Sequence, residues 1–138
     1  MVNPPSTALR RRSKELQLAA ARELLSDEDS AALLMFYAAE CGLKAAYMRV
    51  NNLKATDDTR GGARAARDFG HRIDQLMGAL RIPTSVVGAA PAPVLRRGGN
   101  ALQFFYLHEA WRYGEKVDDT RQIYTWLSNV AVWVETNR

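Results

Sequence analysis

Apolar residues along this chain recur at intervals of three and four, most densely from Ala31 to Val50. Within that run Leu34, Tyr37, Cys41, Ala45 and Met48 share one helix face. Leu33, Phe36, Leu43 and Tyr47 widen the face to most of the circumference, so neighbours must cover it on several sides. Ala38, Ala39, Gly42 and Ala46 are small enough to let those neighbours come close. The segment is expected to be the central helix of a bundle.

The same period places other helices around it. After a disordered lead over residues 1–5, Ser6 or Thr7 can cap a first helix to about Leu25, with Leu9, Leu16, Ala20 and Leu24 inward. The acidic turn Ser26 to Ser30 caps the central helix, and the two helices form an antiparallel hairpin. A polar loop from Asn51 to Gly62 follows. Ala63 to Phe69 can make one or two helical turns. Gly70 to Leu80 then carries Ile73, Leu76, Met77 and Leu80 as a third stripe. Prolines and glycines exclude a helix through residues 81–99, and a connection of that length in a small domain is functional or mobile. Asn100 and Gln103 suggest a capping box for an aromatic fourth helix ending near Tyr113-Gly114. Asp119 and Gln122 repeat the logic for a fifth, with Ile123, Leu127 or Trp126, Val130 and Val134 inward. No strand-like alternation or internal repeat is present. The expected fold is all-α, a four- to five-helix up-and-down antiparallel bundle in a single domain.

Composition changes this picture little. The 138 residues are 47% hydrophobic and 25% charged, as in an ordinary soluble globule, and the net charge of +4 mildly favours anionic partners. Cys41 has no second cysteine to pair with and falls on the apolar face, so it reads as a buried thiol in a reducing cytosol. No charge-free apolar run is long enough to span a bilayer and no signal-peptide pattern opens the chain, which is read as cytoplasmic with no membrane partner.

The polar residues that stand out are Glu40 and Lys44, stacked one turn apart inside the apolar helix, with His71, His108, Arg112 and Tyr113. No metal-ligand spacing, phosphate loop or nucleophile elbow is present, so neither metal nor cofactor is expected. His108, among aromatics, reads as a core histidine bonded to a neighbour. Arg64 precedes His71 by two helical turns, and with Arg67 it could hold a phosphate while the histidine moves a proton. The alternative is a structural His71 that caps a helix or bonds to Glu40, and Gly70, which interrupts the shared face, favours it. Arg10, Arg11, Arg12 and Lys14 crowd the first turns of the first helix, where the dipole disfavours cations. They are either a solvated face or, with Arg96 and Arg97, an anion-binding one.

Three segments, AAECGLKAAYM (Ala38 to Met48), GHRIDQLM (Gly70 to Met77) and WRYGE (Trp111 to Glu115), resemble in order and spacing the signature segments of HEPN domains. The resemblance covers about residues 31–115. It implies a four- or five-helix bundle, commonly a homodimer, found in toxin–antitoxin and anti-phage systems as a metal-independent ribonuclease or as a non-catalytic partner. By motif position it assigns Glu40 and Lys44 to the central polar pair, His71 to the third-segment histidine, and Arg112 and Tyr113 to the late Arg-Tyr. Arg72 stands where the family has an acid, and no Arg-x(4–6)-His motif precedes His108. The chain therefore resembles the non-nuclease branch, in which the polar residues tie helices together.

The leading expectation is a dimerising module that binds RNA, other nucleic acid or a partner protein. The alternatives are a ribonuclease using His71 with Arg64 or Arg67, and an assembly subunit docking through exposed tryptophans. Trp111, Trp126, Trp133, Phe104, Phe105 and Tyr124 exceed what a small core readily absorbs, which places the dimer or complex interface on the last two helices.

Overall fold

A computed structural model describes residues 1–137. Among these the chain is all-helical. Three long helices, α1 (Ser6–Glu23), α2 (Glu28–Val50) and α6 (Thr120–Asn137), carry the core, and α3 (Ile73–Ala79), α4 (Thr84–Val87) and α5 (Leu107–Arg112) are short. Helix α2 is central, in contact with α1, α3, α5 and α6. Its Phe36, Leu43 and Met48 are fully buried in a core shared with Ile73, Leu76, Leu107, Ile123 and Leu127. No helix among the described residues is long and apolar enough to cross a membrane.

The α1–α2 hairpin closes on small residues. Asp27 caps α2 by accepting from the Ser30 amide at 3.0 Å. Farther along, the Ser13 hydroxyl donates to the Ala38 carbonyl at 2.7 Å, and a Cβ on Gly42 would meet Ser13 Oγ at 3.1 Å. Neither Ser6 nor Thr7 caps α1. Pro5 holds the N-cap position with no side-chain bond, because the extended Pro4-Pro5 pair carries the helix start one residue earlier. Asn3 and Pro4 both bond to Thr56 of the following loop.

The structure departs from the sequence expectation at other points too. Ala66–Phe69 is a 3₁₀ turn that stops at Gly70, whose φ of 55° and ψ of −124° break the path, so α3 starts only at Ile73. A single helical turn, α4, forms after Pro83 inside the connection where none was expected, since proline presets the helical φ. Asn100 caps nothing. Gly98 and Gly99 at positive φ turn the chain back, so Val94 bridges Ala101 and the Leu95 amide donates to the Asn100 carbonyl. The aromatic helix therefore begins only at Phe104, as a 3₁₀ turn leading into α5.

The aromatic residues of the last two helices do not form an exposed face. Trp111, Trp126 and Tyr124 are buried, and Phe104, Phe105 and Trp133 are half-buried. Edge contacts such as Phe104 against Trp126, 5.2 Å between centroids, let one core absorb them. No tryptophan is exposed among the described residues.

Candidate functional site

Helix α2 supplies the acid of the central polar cluster. Glu40 reaches the edge of the core with its side chain 12% exposed. Its Oε2 accepts from Lys44 Nζ at 3.0 Å, and its Oε1 accepts from His71 Nδ1 at 2.7 Å. His71 arrives from the short stretch between Gly70 and α3, which the glycine turn aims at α2. Its imidazole stacks on that of His108, from α5, with centroids 3.8 Å apart. Arg112, one turn beyond on α5, bonds to His108 Nδ1 at 2.8 Å. Tyr37 and Phe36 close the cluster on the α2 side.

The hydrogen bonds fix the protons. Arginine is always a donor, so His108 Nδ1 accepts and the ring is neutral with its proton on Nε2. Burial, then the charges of His71 and Arg112, push the His108 pKa below its ordinary value. Burial alone would raise Glu40, but the His71 bond and the Lys44 charge outweigh it and hold the carboxyl below the usual range. A carboxylate on Nδ1 orients His71 and leaves Nε2 as its exchangeable nitrogen, the arrangement of a histidine prepared to move a proton. The His71 side chain is 43% exposed, so the ring has access to water. Burial and the Glu40 charge push the neighbouring Cys41 thiol up to about 11, far from a reactive thiolate.

The residues expected to accompany His71 lie elsewhere. Arg64 sits over the Phe69 ring and bonds to Gln75 and the Asp68 carbonyl. Arg67 turns toward Met1 and Asn3. The guanidinium in the histidine cluster belongs to Arg112. Tyr113 is 72% exposed, with the Arg112 guanidinium near its ring. Arg72 pairs with Asp74 and covers Phe105. Sequence reasoning left His108 out of the site; its four-residue spacing from Arg112 was the available signal. No group of three His, Cys, Asp or Glu among the described residues could hold a metal ion.

The basic residues form a second candidate site. Arg10, Arg11 and Arg12 are exposed on α1, and Arg10 shares a water-sized cavity of about 20 Å³ with Arg49 of α2. The 51–69 loop lies at the same end, tied to Asn3 and Pro4, and brings Arg60, Arg64 and Arg67 there. Two of the α1 cations have acidic neighbours, Arg12 with Glu15 at 3.6 Å and Lys14 with Glu135 at 3.4 Å. Arg10 and Arg11 form no ion pair within 4 Å among the described residues, although Glu135 lines the cavity that Arg10 shares with Arg49. Arg96 and Arg97 do not join this end. They pair with Asp118 and Glu115 beside Lys116, which holds Asp29 at the start of α2. At 1.5 Å per residue that is about 25 Å from the α2 positions around Arg10.

No protein-family model, curated protein or solved structure matches this chain.

Proposed function

We propose that this chain is a HEPN-like helical module of a bacterial toxin–antitoxin or anti-phage system that binds nucleic acid, as a homodimer or within a protein complex. The observation that carries the reading is the gathering of Arg10, Arg11 and Arg49 at one end of the bundle, none of them in an ion pair among the described residues. The loop beside them carries Arg60 and Arg67, paired only loosely with Asp58 and Asp68, at 4.0 and 3.9 Å. Cations crowded on the first turns of α1 repel its dipole, and an anion between them relieves that repulsion. The polar cluster of Glu40, Lys44, His71, His108 and Arg112 then serves to lock α2, α3 and α5 together. Anisotropy titration of a labelled single-stranded RNA over a range of salt tests the reading, and light scattering checks the assembly. Absence of binding at low salt sinks it.

A second reading, metal-independent cleavage of RNA, is favoured by the Glu40–His71 bond beside a second histidine. His71 Nε2 would take the proton of a ribose 2′-hydroxyl as that oxygen bonds to the adjacent phosphorus. The P–O5′ bond would break to leave a 2′,3′-cyclic phosphate, and the departing 5′-oxygen would take its proton from water. Arg112 is the guanidinium at hand for the phosphate, in place of Arg64 or Arg67.

A further inference from the structure

Between α3, α6 and the start of the 81–99 connection lies an open pocket of about 320 Å³, walled by Ile73, Met77, Ile82, Phe104 and Trp126. Such a size falls at the lower end of the ~300–1,000 Å³ range of small-molecule sites, and an apolar wall with few polar groups is their usual make-up. The connection forms its lip. The Trp126 indole N–H donates to the Gly88 carbonyl at 3.0 Å, and Val87 is buried in the turn of α4.

Two residues of the pocket stand where helix stability would not put them. Gly78 lies in the last turn of α3, where glycine weakens a helix relative to alanine. A Cβ there would meet nothing within 4 Å, so no close approach accounts for the glycine; the missing side chain leaves the pocket room. Arg81 follows the helix at φ 55°, the left-handed stop at which the Ile82 amide closes on the Met77 carbonyl. That position favours glycine, and a residue with a Cβ is strained there. Exchanging the two residue types would relieve both positions. Local choices that oppose stability concentrate at functional sites.

The charge at the mouth points to the ligand. The Arg81 side chain has no ion-pair partner among the described residues. The acid at the rim, Asp74, is already held at both oxygens by Arg72, at 3.0 and 2.8 Å. A free guanidinium is a planar two-pronged donor that matches a carboxylate, whereas the apolar walls exclude a heavily hydrated ligand. We propose that this pocket binds a small apolar carboxylate, its body among Met77, Ile82, Phe104 and Trp126 beside Gly78 and its carboxylate on Arg81. The site stands apart from the cationic end and does not depend on nucleic-acid binding.

Calorimetric titration of the full chain with decanoate, and with decanol as the uncharged counterpart, tests this. Decanoate is expected to saturate one site, and decanol to bind roughly tenfold or more weakly, as removal of a charge-assisted hydrogen bond implies. Arg81→Gly should weaken decanoate by a similar factor while raising the melting temperature, a combination that a purely structural arginine would not produce. Gly78→Leu should abolish binding of both compounds with the fold retained, and Arg96→Gln should change nothing. The proposal is overturned if wild type shows no saturable decanoate binding, if decanol binds equally well, or if Arg81→Gly or Gly78→Leu binds decanoate as wild type does.

Discussion

The imidazoles of His71 and His108 lie 3.8 Å apart and inclined by 37°, one reaching in from the turn before α3 and the other from α5. The stack has a direction. Glu40 accepts from His71 on one side, and Arg112 donates to His108 on the other, so a proton added to His108 is opposed by the cation beside it.

Stability should therefore fall with acid in two stages. His108 has a folded pKa below its ordinary 6.5, so its contribution is complete above 6.5 and is lost as pH falls below it. Glu40, held below 4.5, contributes above that value and is lost at still lower pH. Melting temperature measured from pH 8 to 3 should decline in both windows, and His108→Phe should remove the upper one. A flat profile between pH 7.5 and 5 would contradict the assignment.

Removing Glu40 strands a lysine and a histidine at the core edge. Glu40→Ala should cost roughly 3–5 kcal/mol in urea unfolding, the range for breaking a buried ion pair from one side. The double variant Glu40→Ala/Lys44→Met should recover part of that loss. Equal costs for the single and double variants would mean that the pair is not coupled.

Nucleic-acid binding should weaken steeply with salt. Arg10→Ala/Arg11→Ala should flatten the log–log slope by about 0.7 for each phosphate no longer neutralised on a single strand. Arg96→Ala/Arg97→Ala should leave it unchanged, because those side chains are paired with acids at the other end of α2. Equal effects from the two double variants would remove the cationic end as the binding surface.

Cleavage of RNA in the presence of a chelator decides the second reading. One histidine acting as acid or base contributes about 10²–10⁴-fold, so His71→Ala should reduce activity by that factor if the cluster is catalytic. A structural cluster gives no wild-type cleavage and a lower melting temperature for the variant, because a hydrogen bond to Glu40 is gone.

Gly70 sets the direction in which His71 arrives. With φ 55° and ψ −124° it occupies backbone space open to glycine, and a Cβ added there would meet no neighbouring atom within 4 Å. Gly70→Ala should cost about 1–3 kcal/mol from the backbone alone. A substitution without effect on urea stability would show that the turn relaxes freely.

The periodic apolar positions of the sequence determine α1, α2 and α6, and Asp27 marks the start of α2, because an amphipathic helix and its cap depend on residues within four of one another. Glu40 and Lys44 were legible as a pair for the same reason. The His71–Glu40 bond was one of the alternatives legible in the sequence, and it forms at 2.7 Å across 31 residues. Tertiary structure alone decided the rest, since the stacking of His71 on His108 depends on how Gly70 turns the chain and on α5 beginning only at Leu107. The distribution of charge was likewise invisible in sequence: Arg10 and Arg49 share a cavity, while Arg96 and Arg97 face acids at the far end. Such meetings are set by the packing of short segments onto α2, where turn geometry and the side chains already in place choose among placements that local propensity leaves equal.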